Sequence, residues 1–183
     1  MRPLLFLFLP SAALALNLTP EPGYREMEGF KIPVVRFTDT TGKVRWSPPQ
    51  EWQLKYESGI LSAIPRNLTQ ASFEIRVVAR TSGDREILTK LESLQAYCAK
   101  FLPASAKGLT YRSTSEGVFT IGPTPAREYV FDYTEPGMAY KASVMMVDLS
   151  DRERLVCVVT TRAKDYESVR TKAVESMFSW QSE

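Results

Sequence analysis

Two segments of this chain repeat their apolar residues at helical spacing, while most of the remaining apolar residues alternate, and that division sets the fold class. Ile87, Leu91, Leu94, Cys98 and Phe101 share one helical face, with Asp84 placed to cap the first turn and Pro103 stopping the last. Tyr166, Val169, Ala173, Met177 and Trp180 do the same near the end of the chain, opposed by Arg170, Lys172 and Glu175. Everything around these segments reads as strand. Residues 31–37 and 43–46 form a hairpin across the polar turn Asp39-Thr40-Thr41-Gly42, and Pro48-Pro49 stops it. Residues 51–64 carry Trp52, Leu54, Tyr56, Ile60 and Ile64 around Gly59, the pattern of a bulged strand or a strand pair. Residues 72–80 alternate cleanly, burying Phe73, Ile75, Val77 and Ala79.

After the first helix, residues 109–115 and 117–121 are expected to pair. Residues 126–134 form a further strand, separated by Glu135-Pro136-Gly137 from 138–149. The contiguous run Leu155-Val156-Cys157-Val158-Val159 belongs to a central strand covered on both faces. Links this short cannot carry parallel crossovers, so the chain is α+β, with a largely antiparallel sheet flanked by helices. Residues 16–28, with Pro20, Pro22 and Gly23, read as an extended N-terminal lead-in, and one domain over 29–183 follows.

Ahead of it, Arg2, the run Leu4-Leu5-Phe6-Leu7-Phe8-Leu9 and then Ala13-Leu14-Ala15 have the order of a signal peptide over 1–15, cleaved before Leu16. The alternative is an N-terminal anchor or a buried strand. The apolar run falls short of the ~20 residues that cross a bilayer, and no Cys follows it to take a lipid. The expectation is an exported protein, periplasmic or secreted, with no membrane span.

Among 183 residues there is no His, which removes imidazole bases and the commonest transition-metal ligand. GxSxG, SxxK, P-loop, GxGxxG, HExxH and EF-hand patterns are missing too. No enzyme, cofactor or metal is therefore expected. Asp148, Asp151 and Asp165 offer loop carboxylates to Ca²⁺, although turn acids ordinarily only cap and solvate. Glu128 and Asp132 alternate on one strand face, the minimum for a carboxylate-dependent hydrolase. Net charge is +2 with acidic and basic residues interleaved, so no nucleic-acid partner is expected. Asn17-Leu18-Thr19 and Asn67-Leu68-Thr69 match the glycosylation acceptor pattern, which matters only in a eukaryotic secretory route.

Cys98 and Cys157 are too far apart for CxxC chemistry, and in an exported protein they form either a helix-to-sheet disulfide or two free core thiols. Aromatic residues on strands line a core or a binding surface. Tyr129, Phe131 and Tyr133 share one face and read as core, whereas Trp46, Trp52 and Tyr56 are the candidate binding surface.

The order of elements, with Trp52 just after Pro48-Pro49, the strand motif Arg127-Glu128-Tyr129 and the terminal Ser176-Met177-Phe178-Ser179-Trp180, resembles the PsbP-like (Mog/PsbP, DcrB-like) α/β/α sandwich over roughly residues 29–180. That resemblance implies a non-enzymatic protein that binds other proteins, since family members serve as photosystem extrinsic subunits, Ran-binding factors and envelope proteins of undefined task. Metal sites that plant-type members build on imidazole have no counterpart here. The function expected is thus an exported accessory protein acting on an unidentified protein partner, its oligomeric state open. The alternatives are a small-molecule or carbohydrate-binding module, a carboxylate-dependent hydrolase with its site between the sheet and the hairpin of Trp46, or a structural stabiliser without ligand.

Overall fold

A computed structural model describes residues 16–39, 42–81, 83 and 87–183. The expected leader over 1–15 and the helix-capping Asp84 lie outside the described residues. The strands are β1 (Asn17–Met27), β2 (Phe30–Asp39), β3 (Gly42–Trp46), β4 (Trp52–Glu57), β5 (Ile60–Pro65) and β6 (Ser72–Ala79). After α1 (Leu91–Ala99) come β7 (Lys107–Ile121), β8 (Thr124–Glu135), β9 (Met138–Asp148) and β10 (Glu153–Arg162), then α2 (Tyr166–Met177) and the short β11 (Gln181–Ser182).

A seven-stranded antiparallel sheet in the order β4-β5-β6-β10-β9-β8-β7 forms the centre. Its path follows from the turns. Ser58 and Gly59 both take positive φ (52° and 80°), the two-residue geometry whose twist suits a hairpin, and they fold β4 onto β5. From β6 the chain crosses through α1 to the far edge, then returns strand by strand from β7 to β10, which closes against β6. Pro136-Gly137 makes the β8–β9 turn, with Gly137 at φ 77°. β10 is the middle strand, and every residue from Glu153 to Val159 is buried, as its unbroken apolar run requires.

Alternation along β10 sends its side chains into two separate cores. Val156 and Val158 meet Leu94 and Cys98 of α1 together with Tyr129, Phe131, Val144 and Met146. Leu155, Cys157 and Val159 face the other way, towards Val169, Ala173 and Met177 of α2 and towards Phe37, Val44 and Trp46. Those last residues belong to a second sheet, of order β1-β2-β3-β11, which shares with α2 the task of covering that face. The Phe37 and Trp180 rings stack at 5.4 Å, tying the end of the chain to this sheet just before β11 pairs with β3.

Three expectations are corrected here. Residues 16–28 are no lead-in: β1 pairs with β2 along most of its length, and Leu16 and Leu18 sit in the core. Pro20 and Pro22 disguise the strand, but it is the edge of its sheet, where a residue without an N–H is tolerated. Residues 109–115 and 117–121 do not pair with each other; they are one long strand, β7, whose register against β8 slips at three places. Gly117, at φ 71°, marks an irregularity within this strand where the sequence suggests a turn. Regular helix α1 begins at Leu91, with Lys90 extended before it and supplying no side-chain cap, so it is shorter than its apolar spacing suggests.

Candidate interaction surface

Glu28 and Gly29, with φ of 51° and 82°, form another two-residue turn, and they close β1 onto β2. At the body end of this hairpin Val35 and Phe37 are buried, while towards the turn burial fails on both strands. Tyr24 is 63% exposed, Met27 48% and Phe30 73%. Met27 lies opposite Phe30, Arg25 opposite Ile32 and Glu26 opposite Lys31, so charges of both signs interleave with the apolar side chains. Met27 and Phe30 share one face of the hairpin and Tyr24 stands on the other, and two aromatic rings and a methionine about one tip, without a net field, match the composition of protein-recognition surfaces.

The three side chains the sequence offers as a binding surface are not brought together. Trp46 is a correction: it is fully buried, with Phe37 stacked at 6.3 Å and Phe73 edge-on at 6.3 Å, because β3 turns it inward onto the large sheet. Trp52 packs in part against the same core. Of the three only Tyr56 is exposed, and by little more than a third of its surface, beside a groove of about 550 Å³ lined by Leu16, Leu18, Ser58, Gly59, Ile60 and Arg76 among others. A groove of about 480 Å³ under α2 holds Glu51 and Glu175, both exposed, with Lys172.

The carboxylates considered for catalysis, Glu128 and Asp132, and Asp148, considered for Ca²⁺, are each engaged by arginines. Glu128, almost wholly buried, receives both arms of the Arg170 guanidinium (2.7 and 2.5 Å) and the Ser143 hydroxyl. Asp132, on the same strand face, accepts from Arg112 at 2.6 Å. Asp148 accepts from Arg154 at 2.7 Å and pairs with Arg80 at 3.3 Å. Among the described residues no three His, Cys, Asp or Glu side chains group as a metal site. Cys98 and Cys157 are free thiols in the two different cores, since β10 points Cys157 away from α1. The bridged alternative is not the one taken. Burial pushes both thiols up, Cys98 to about 12.

The hairpin tip is the surface that sequence reasoning missed. Its signal was present: Glu28-Gly29 stands between Met27 and Phe30 as a two-residue turn between apolar flanks.

No protein-family model and no curated protein matches the sequence. Solved structures do. Cyanobacterial PsbP (CyanoP) from Synechocystis sp. PCC 6803 superposes with a TM-score of 0.51 at 10% identity, covering 87% of this chain and 98% of that one. A protein from Bacteroides thetaiotaomicron VPI-5482 superposes with a TM-score of 0.50 at 14% identity over 76% of this chain, which spans only 45% of that protein's length. LpqN of Mycobacterium tuberculosis, involved in cell envelope biogenesis, gives 0.48 at 13% identity over 84% of each chain. The chain has the PsbP-like α+β fold, built mostly of antiparallel sheet with two short helices. At these identities the likeness is one of fold. No helix among the described residues is long and apolar enough to cross a membrane.

Proposed function

We propose that the protein is exported after loss of residues 1–15, and that it serves in the periplasm or outside the cell as a non-enzymatic accessory protein. It holds a protein partner at the tip of the β1–β2 hairpin. The observation that carries this reading is the clustering of exposed Tyr24, Met27 and Phe30 about one turn, whereas the other strongly exposed apolar residues, Leu91 of α1 and Phe178 just after α2, stand singly on separate elements. Side chains of this size stay in water at a cost that a partner's surface relieves. The carboxylate pairings support the non-enzymatic half, because Glu128 and Asp132 are already taken up by Arg170 and Arg112 and do not stand free to face a substrate. The protein immobilised as bait against its native envelope fraction is expected to retain a saturable protein ligand, and Y24S/M27S/F30S is expected to lose it while keeping the fold. Equal retention by the two proteins contradicts the assignment to the tip.

A further inference from the structure

Among the described residues the two sheets have four edges, and three of them are guarded. β1 carries Pro20 and Pro22 and a register break between Asn17 and Glu21. β7 is broken by three register shifts. β11 is two residues long. β4, the remaining edge, has no proline and no bulge over Trp52–Glu57, and its lysine, Lys55, is neutralised by Glu57 at 2.5 Å.

The pairing of β4 with β5 shows what that edge offers. Antiparallel partners alternate between exchanging both backbone hydrogen bonds and exchanging none, and the pair flanking a two-residue turn is of the first kind. Starting from Glu57 opposite Ile60, the peptide groups of Glu57, Lys55 and Gln53 face β5. Those of Tyr56, Leu54 and Trp52 therefore face outward. Trp52 fits this count, since its opposite number, Pro65, has no N–H to give; its own N–H is donated to the Pro49 carbonyl at 3.3 Å, so a partner strand is offered both peptide groups of Leu54 and Tyr56 and only the carbonyl of Trp52. The outward groups belong to the same residues whose side chains form the half-exposed stripe Leu54 (36%) and Tyr56 (37%).

From this edge we propose that a second copy of the chain pairs with the first, β4 against β4 antiparallel about a two-fold axis, joining the two large sheets into one. Sequence and charge select the register. With Leu54 opposite Leu54 of the other copy, Trp52 meets Tyr56 and Tyr56 meets Trp52, so the apolar stripe is continuous across the axis. On the other face Lys55 meets Gln53. A slip that sets Leu54 opposite Tyr56 brings the two Lys55 ammonium groups face to face, which is unfavourable. Being isologous, the contact closes at two chains and does not propagate. It uses none of the hairpin-tip residues, so it stands or falls apart from the partner reading.

Sedimentation equilibrium of the full protein, run over a concentration series, tests this directly. The expected mass approaches twice the single-chain value with rising concentration, and L54K, which sets two ammonium groups against each other on the axis, returns it to one chain with an unchanged circular dichroism spectrum. A wild-type mass that stays at one chain, or an L54K mass that stays at two, overturns the proposal. The register is read separately, and without relying on L54K folding, from an equimolar mixture of the single variants Q53C and K55C on the polar face. In a glutathione redox buffer the mixture is expected to give the mixed covalent dimer and neither variant alone to dimerise covalently; homodimers of either variant reject the register, and no covalent dimer at all rejects the pairing.

Discussion

Trp46 shows how a single side chain is assigned by its sheet and not by its type. In sequence it is one aromatic among several on strands, yet β3 places it between Phe37 and Phe73 with no exposed surface. Trp46→Ala is expected to cost about 3–5 kcal/mol in chemical denaturation, the range for emptying a large aromatic site in a packed core. A loss below about 1 kcal/mol returns Trp46 to the surface. The two thiols make a second residue-scale prediction. Both are protonated in the fold, with Cys98 raised to about 12, whereas an unfolded thiol ionises near roughly 8.5. A group whose pKa is raised by folding contributes fully below the unfolded value and loses that contribution as pH climbs towards the folded one. Denaturant stability is therefore expected to fall between about pH 8.5 and pH 12, and C98A to fall less steeply than wild type. Reductant at neutral pH changes nothing if the thiols are free, and a lowered melting temperature on reduction contradicts the two-core assignment.

Among the elements, α2 is held to the large sheet by one buried charge as well as by its apolar stripe. Arg170 reaches Glu128 on β8, which also takes the Ser143 hydroxyl from β9. Arg170→Ala leaves a carboxylate uncompensated in the interior and is expected to cost about 3 kcal/mol by urea unfolding, whereas E128M/R170M recovers most of the loss. Equal losses in the two variants reject the ion pair as the source.

Much at this scale was legible. Both helices, the Pro136-Gly137 turn and the central position of β10 follow from period and turn chemistry, because local spacing and burial there agree. What escaped depends on pairing with the next strand and not on the segment's own pattern. β1 becomes a strand only because β2 lies beside it, and β7 stays whole because β8 tolerates its irregularities. The candidate surface was hidden for the same reason: with 16–28 set aside as a lead-in, Tyr24, Met27 and Phe30 had no element to project from.

The described residues form a large sheet covered on one face by α1 and on the other by α2 and a small sheet, whose β1–β2 hairpin leaves Tyr24, Met27 and Phe30 exposed at its tip. A packed scaffold carrying one exposed loop-and-strand device is the usual division between stability and function. The PsbP-like fold does not choose a partner, so the proposed function turns on where binding takes place. The deciding measurement places a photoreactive side chain at position 30, and in a parallel protein at exposed Lys172 of α2, then irradiates each in the native envelope fraction. Cross-linking of one protein species from position 30, and not from position 172, is the predicted result. Cross-linking of that species from position 172 alone contradicts it.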